Sequence, residues 1–249
     1  KSQLDYLNKF GSERRNILEK KVSIVLAGIG GYGNLYVDAL LDNAEVKGLI
    51  FTGIVDPFLE GCRRLAELKE RDIPVFNTLE AFYKSKCADF AVISSPIHFH
   101  KTQSCLALSN GSHVLCEKPV AASVAEGNQM IMAKEKYGKF LAIGYQWSYS
   151  CAILKLKKDI MAGKFGNAKT LKTLVLWPRN ETYYARRWAG KIKDEEGRLI
   201  LDSVASNATA HYLHNMFFVL GDEIDKSDVP VQVKAELYRA NNIENFDTT

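Results

Sequence analysis

The sequence predicts an α/β fold in which a doubly wound parallel sheet is followed by an α+β domain. Short apolar runs alternate with helix-like stretches, a glycine-rich loop follows the first run, and this alternation stops after about Tyr145. We therefore expect a doubly wound domain over residues 21–144 and an α+β domain with an open, mostly antiparallel sheet over residues 145–249. Residues 1–20 are polar and charged, and we interpret them as either a helical arm or a partly ordered leader.

Six short runs are predicted to be the strands of the parallel sheet. Each run is apolar on both faces, which is typical of strands that helices cover from both sides. The intervening stretches indicate βαβ units. The predicted strands are Val22–Ala27, Leu49–Val55, Ile73–Phe76, Phe90–Ile93, His113–Cys116 and Phe140–Ile143.

Capping signals place the helices. Residues 31–43 and a stretch ending at about Glu70 are predicted helices, and Thr78 is predicted to cap the next. The segment Ser123-Val124-Ala125-Glu126 has capping-box spacing, so we expect a helix to begin there.

After residue 145 the pattern is mixed. Alternating apolar residues predict two half-exposed strands, and longer apolar periods predict two helices, the second ending at Gly221. A charged, aromatic stretch over residues 178–200 is predicted to be a loop over a site. The predicted strands are Lys169–Trp177 and Val231–Tyr238, and the predicted helices are Cys151–Ala162 and His211–Leu220.

Composition excludes several classes of protein. Of the 249 residues, 47% are hydrophobic and 25% charged, which are ordinary values for a globular protein. The net charge of +4 is too small to indicate a nucleic-acid partner. No apolar run approaches the roughly 20 residues of a membrane span. The pair Arg14-Arg15 is not followed by the apolar segment of an export signal, so we expect a cytoplasmic protein.

Cysteine usage agrees with that expectation. The sequence has five cysteines, none at Cys-x-x-Cys spacing, which argues against both a disulfide framework and a structural zinc site. We expect reduced thiols and no bound metal. The cysteines are Cys62, Cys87, Cys105, Cys116 and Cys151.

The glycine-rich loop has the spacing of a dinucleotide-binding turn. It follows a predicted strand and opens a predicted helix, which is the context that gives the spacing its meaning. Backbone N–H groups and the positive end of the helix dipole would bind the pyrophosphate. The loop is Gly28-Ile29-Gly30-Gly31-Tyr32-Gly33.

Asp56 ends the second predicted strand, 23 residues after Gly33. A carboxylate at this position can bind the ribose hydroxyls of an adenosine and would repel a 2′-phosphate. No arginine follows Asp56 directly, so the sequence favours NAD as the cofactor. Arg63 and Arg64 lie one or two helical turns further on and leave NADP as an alternative cofactor.

Two further motifs follow predicted strands. Ser95-Pro96-Ile97-His98-Phe99-His100 follows the fourth strand, and Glu117-Lys118-Pro119 follows the fifth. With the glycine loop, Gly144-Tyr145-Gln146, His211 and Leu220-Gly221, these motifs resemble the Gfo/Idh/MocA oxidoreductase family over roughly residues 21–240. The resemblance implies a Rossmann domain that binds NAD(P), and it adds Ser95, Pro96, His100, Glu117, Lys118 and Gln146 to the expected cofactor-binding residues.

The resemblance also implies catalytic residues. Lys118 would lie beside nicotinamide and substrate, where an ammonium stabilises a developing alkoxide. His211 would be the general base. The family often carries Asp four residues before this histidine, whereas this chain has Asn207, which can orient a hydroxyl but cannot take its proton. Asp202 lies five residues before Asn207, and the sequence alone does not decide whether it reaches the site.

Aromatic and basic residues of the second domain are candidates for the substrate pocket, because aromatic faces suit sugar rings and arginines suit carboxylates. Core or surface packing would account equally well for each of them. The candidates are Tyr145, Trp147, Trp177, Arg179, Tyr183, Tyr184, Arg187 and Trp188.

The predicted reaction is hydride transfer between nicotinamide and a secondary alcohol of a sugar, cyclitol or related polyol. An NAD-dependent glycosidase that oxidises transiently and a non-catalytic NAD(P)-binding sensor are the alternatives. The resemblance further implies a homodimer or homotetramer. The second domain is shorter than is usual in the family, so we expect its sheet to be incomplete.

Overall fold

A computed structural model describes residues 21–44, 48–186 and 188–239, which fall into two compact units. The first unit takes in the described residues up to Glu117 together with Asn128–Ala142. The second takes in residues 118–127 and the described residues from Ile143 onward. The arm predicted over residues 1–20 lies outside the described residues.

A six-stranded sheet with the order β3-β2-β1-β4-β5-β6 forms the centre of the first unit. The pairs β1–β2, β1–β4, β2–β3 and β4–β5 are all parallel. This order is that of a doubly wound dinucleotide-binding sheet, so the predicted fold class is confirmed. The strands are β1 Val22–Ala27, β2 Leu49–Val55, β3 Val75–Phe76, β4 Phe90–Ile93, β5 His113–Cys116 and β6 Leu141–Ile143.

Five helices connect or follow these strands. Thr78 caps α3 as predicted, its hydroxyl accepting a hydrogen bond from the amide of Ala81 at 3.1 Å. Ser123 caps α5, although Glu126 reaches back to the amide of Ala122 and not to that of Ser123. The helices are α1 Gly33–Asn43, α2 Leu65–Glu70, α3 Leu79–Ser85, α4 Ile97–Ser109 and α5 Val124–Tyr137.

Helix α1 forms one side of a buried core. Its buried residues Val37, Leu40 and Leu41 recur at helical spacing and pack with Ile24 and Leu26 of β1. Full burial of each such side chain contributes about 1.5–3 kcal/mol. This packing places the start of α1 at the carboxyl end of β1.

In the second unit, helices form where the sequence predicted them. The helix expected over Cys151–Ala162 is α6 Cys151–Met161, capped by the Ser150 hydroxyl, and the one expected from His211 is α8 Ala210–Leu220. A single helical turn, α7 Glu181–Tyr184, lies between them. The segment Val204–Ala208 is a π-helical turn that the sequence did not predict.

The strands predicted over Lys169–Trp177 and Val231–Tyr238 are not observed, because both segments lack regular secondary structure. A strand exists only through backbone hydrogen bonds to a neighbouring strand, and the described residues supply no such bond to either segment. Leu174 is 82% exposed and Val231 is fully exposed. Outside the six-stranded sheet, the described residues contain one isolated antiparallel bridge, between Lys193 and Leu199. No helix in the described ranges has both the length and the apolar character to cross a membrane.

Candidate functional site

The glycine loop of the first unit joins β1 to α1 by two close backbone approaches. Gly28 has φ +85°, and a Cβ there would lie 2.5 Å from the carbonyl carbon of Ser94. A Cβ on Gly33 would lie 2.2 Å from the carbonyl oxygen of Gly28. Only glycine fits at these two positions, so the loop is held tightly against the ends of β1 and β4.

The middle of the loop is more open. The nearest atom to a Cβ on Gly30 would be the Cα of Gly61, at 3.9 Å. Tyr32, half-exposed, precedes α1 and makes no capping bond from its side chain. The open middle of the loop lies at the positive end of this 11-residue helix, and a backbone cradle that side chains leave open there fits a pyrophosphate.

Asp56 lies beside this loop, directly after β2. One carboxylate oxygen accepts a hydrogen bond from the amide of Ile29 at 3.0 Å, and the other accepts one from the amide of Phe58 at 2.9 Å. A carboxylate has about four acceptor positions, so two remain for hydroxyl donors. The residue expected to bind ribose is thus fixed next to the loop expected to bind pyrophosphate.

Arg63 and Arg64, the residues that kept NADP open, are engaged in ion pairs. Arg63 bonds Asp38 at 2.8 Å, and Arg64 bonds Asp42 at 2.7 Å and Glu67 at 2.6 Å. Hydrogen bonds to Asp42 and Glu67 raise the pKa of Arg64. Binding a 2′-phosphate would require these partners to be exchanged, so the arrangement favours NAD.

The turn after β4 is held together by its own side chains. The buried His100 ring bonds the carbonyl oxygen of Ser95 through Nε2 at 2.9 Å. The Ser95 hydroxyl donates to Gln103 at 2.6 Å, and Pro96 precedes the first turn of α4. The hydrogen bond from His100 to Ser95 therefore stabilises the turn from within.

Glu117 is buried, and its partner was not predicted from the sequence. The hydroxyl of Tyr36, on α1, donates to the Glu117 carboxylate at 2.6 Å. Burial and this carboxylate both raise the pKa of Tyr36. A tyrosine three residues after the glycine loop was the available signal, but nothing in the sequence pairs it with Glu117. The peptide bond between Lys118 and Pro119 is cis.

In the second unit, Lys118 contacts Asn207. The ammonium donates to the Asn207 side-chain oxygen at 2.8 Å and to its backbone oxygen at 3.1 Å. The amide nitrogen of Asn207 donates to Asp202 at 2.7 Å. Asn207, which stands where the family often has Asp, thus lies beside Lys118, and Asp202 contacts Asn207.

His211 lies against the same group of residues. Its ring stacks on Trp147 at a centroid distance of 4.5 Å and meets the edge of Tyr145 at 5.9 Å. Burial first, then the charge of Lys118 and then that of His214, lower the pKa of His211 to about 4. The imidazole is therefore neutral at neutral pH and is able to accept a proton.

Aromatic contacts link four of the remaining pocket candidates, Trp177, Arg179, Tyr183 and Tyr184. The guanidinium of Arg179 lies 4.2 Å from the ring centroid of Trp177 and 4.5 Å from that of Tyr183. Tyr183 in turn packs edge-on against Tyr184 at 5.2 Å. Gln146 is exposed, Trp188 is half-buried, and Arg187 lies outside the described residues.

Known proteins that are similar to this chain are oxidoreductases. Residues 22–145 match a family model described as an oxidoreductase family with an NAD-binding Rossmann fold. Scyllo-inositol 2-dehydrogenase (NADP(+)) IolU of Bacillus subtilis is 30% identical over 128 residues, 51% of this chain and 39% of that protein. Inositol 2-dehydrogenase of Rubrobacter xylanophilus is 24% identical over 209 residues, 83% of this chain and 54% of that protein.

Among solved structures, the WlbA dehydrogenase from Bordetella pertussis, in complex with NADH and UDP-GlcNAcA, has a TM-score of 0.70. The match is 25% identical in sequence and covers 81% of this chain and 59% of that one. The chain thus spans less than two thirds of the length of each of these three proteins.

Proposed function

Because the chain belongs to the Gfo/Idh/MocA family of oxidoreductases, we propose that it transfers a hydride between a nicotinamide cofactor and a secondary alcohol or ketone. The substrate class is a sugar, a cyclitol or a related polyol, the class to which inositol in the relatives' names belongs. The proposal assigns residues 21–144 to cofactor binding, and residues 145–249 together with Lys118 to the substrate.

The observation that carries this proposal is the pairing of a fixed ammonium with a neutral imidazole. Lys118 is held by both oxygens of Asn207, and the pKa of His211 is lowered to about 4 by burial, Lys118 and His214. A neutral imidazole accepts the hydroxyl proton, and an ammonium stabilises the negative charge left on oxygen. Alcohol oxidation needs both functions.

A bound nicotinamide cofactor would supply the hydride acceptor. The open loop at Gly30 and the positive end of the α1 dipole would hold its pyrophosphate, and the remaining acceptor positions of Asp56 would hold its ribose hydroxyls. We assign NAD as the preferred cofactor. Both side-chain ends of Asn207 already have partners, so we assign it the positioning of Lys118 and not the orientation of substrate.

A cofactor titration tests the first half of the proposal. Measured by quenching of intrinsic fluorescence, the Kd for NAD⁺ is expected to be lower than the Kd for NADP⁺. We expect Asp56→Ala to weaken NAD⁺ binding about 10²- to 10⁴-fold, since two hydrogen bonds to a charged group are lost. The exposed Glu80→Ala, on α3 of the same unit, is the matched control and should bind as wild type. Absence of binding to either dinucleotide would refute the proposal, and tight NADP⁺ binding would refute the choice of cofactor.

Turnover tests the second half. With scyllo-inositol, myo-inositol and UDP-GlcNAcA as the first substrates, NADH formation is followed at saturating cofactor. Lys118→Met is expected to lower kcat about 10²- to 10⁴-fold. Cofactor binding without turnover of any polyol would support the sensor instead. Hydrolysis of a glycoside without net NADH would support the glycosidase.

We also propose a cytoplasmic homodimer or homotetramer. None of the five cysteines, all within the described residues, forms a disulfide. Unpaired thiols are typical of a reducing compartment. Light scattering on the purified chain measures the oligomeric state, and a monomer at micromolar concentration would overturn that part.

A further inference from the structure

A continuous chain of hydrogen bonds runs from a buried carboxylate to Lys118. One oxygen of Asp202 accepts from the backbone amide of Gly190 at 2.6 Å, and the other accepts from the side-chain nitrogen of Asn207 at 2.7 Å. The side-chain oxygen of Asn207 then accepts from Lys118 at 2.8 Å. Asp202 is 3% exposed and Asn207 is 8% exposed.

We propose that Asp202 is a positioning residue that determines which end of the Asn207 amide faces Lys118. The meaning of this role for catalysis rests on the function proposed above. The role itself is a statement about hydrogen-bond direction in the second unit and can be tested without turnover.

The direction of the chain follows from the chemistry of its ends. An ionised carboxylate only accepts hydrogen bonds, whereas an ammonium only donates them. An amide between the two can satisfy both in one orientation alone, with its nitrogen toward the carboxylate and its oxygen toward the ammonium. Asp202 therefore excludes the reversed amide, which would direct N–H groups at the Lys118 ammonium.

The backbone around Asp202 is built to hold this orientation. Leu201 has φ +50°, a conformation that costs an L-residue about 1–2 kcal/mol. Its carbonyl oxygen accepts from the Ser206 hydroxyl at 3.0 Å, and Ser203 and Ser206 form a reciprocal capping box. The π-helical turn Val204–Ala208 then carries Asn207 inward. Strained residues and π-turns are frequent at functional sites.

Replacing Asp202 with Asn should reverse the chain. The Gly190 amide keeps an oxygen of residue 202 pointed toward itself, so the new NH₂ group would face Asn207. Asn207 can accept from that group only by turning its own oxygen toward it. Its nitrogen would then face Lys118, donor against donor, and the ammonium would lose a charge-assisted acceptor.

Exchanging both residues should restore the chain. In Asp202→Asn with Asn207→Asp, the new NH₂ group would donate to a carboxylate at position 207. The second oxygen of that carboxylate would accept from Lys118. The double variant therefore separates hydrogen-bond direction from mere packing, because it keeps the same two side-chain types in exchanged places.

The experiment measures labelling of Lys118 by trace acetic anhydride, with peptide mass spectrometry and no substrate or cofactor. Amines react only when unprotonated and free, so we expect Lys118 in Asp202→Asn to react about tenfold faster than in wild type. The double variant should return to the wild-type rate. Asp194→Asn, a carboxylate of the same unit bonded to Arg198, is the matched control and should leave the rate unchanged.

A wild-type labelling rate in Asp202→Asn would overturn the proposal, as would fast labelling in a folded double variant. If the single variant does not fold, the double variant decides alone. A wild-type labelling rate of Lys118 in the double variant then supports the proposal, and fast labelling overturns it. Where turnover is found, kcat should fall about tenfold in Asp202→Asn and recover in the double variant, with the Kd for NAD⁺ unchanged. A chain without dehydrogenase activity would defeat the proposed function, yet the labelling rates would still decide the role of Asp202.

Discussion

In the first unit, the groups that fit a cofactor are backbone amides and a carboxylate tied to backbone, held by regular strands and a regular helix. In the second unit, the corresponding groups are side chains bonded to one another, and they stand on a π-turn and a strained residue. In the glycine loop, a Cβ on Gly28 or Gly33 would lie 2.5 Å or less from a backbone atom, so backbone shape alone defines the loop. The Lys118 ammonium is fixed by an amide whose direction depends on a further residue.

This difference matters for how each unit responds to substitution. A backbone cradle tolerates many side chains around it, but it fails when a Cβ enters the close approach. A chain of hydrogen-bonded side chains tolerates neighbouring substitutions that act only through the backbone. It fails when one of its donors is replaced by an acceptor. Substitutions that exchange shape should therefore affect the first unit most, and substitutions that exchange hydrogen-bond direction should affect the second.

The largest expected effect comes from Gly28→Ala. The positive φ costs about 1–2 kcal/mol, and relieving a 2.5 Å contact with the Ser94 backbone adds about 1–3 kcal/mol. Gly111→Ala is the matched control, since Gly111 has φ +89° and no atom within 4 Å of an added Cβ. Urea denaturation should show a loss of about 2–5 kcal/mol for Gly28→Ala and only the first part for Gly111→Ala. Equal losses would show that φ, and not the close approach, governs the loop.

The sheet and the glycine loop could be predicted because their signals are local. Apolar runs, a glycine spacing and a following carboxylate are all read within about 30 residues, and the structure has the six strands in the predicted segments. The strands expected over Lys169–Trp177 and Val231–Tyr238 failed because alternation shows a preference for pairing but does not supply the partner.

The candidate site of the second unit was predictable only in part. Lys118, Asn207 and His211 came from a family resemblance, and the structure brings them together. The Tyr36–Glu117 bond of the first unit and the orienting position of Asp202 were not predicted. Each contact depends on the folded chain, and neither helix nor strand periodicity places its two residues together. The positive φ of Leu201 has no sequence signal either, because leucine rarely adopts it.

A smaller effect is expected from pH, and it belongs to the second unit. The pKa of His211 is lowered from 6.5 to about 4 by burial, Lys118 and His214. Between those values the unfolded chain binds a proton that the folded chain does not, so the free energy of unfolding should fall as pH falls through this window. Wild type should lose more stability than His211→Gln between pH 6.5 and 4.5, as measured by urea denaturation at each pH. Parallel losses would show that the histidine is not held neutral by the fold.

The smallest effects should be the same in both units, which marks the limit of the comparison. Thr78 caps α3 in the first unit at 3.1 Å, and Ser150 caps α6 in the second at 3.4 Å, each through a hydroxyl that accepts from a backbone amide. Because capping depends only on the first helical turn, Thr78→Ala and Ser150→Ala should each cost about 1 kcal/mol. Hydrogen exchange at the Ala81 and Ile153 amides measures both losses locally. A loss at Ser150 several times larger than at Thr78 would mean that side-chain bonds carry more of the second unit's stability than of the first unit's, and would extend the contrast from the site to the whole unit.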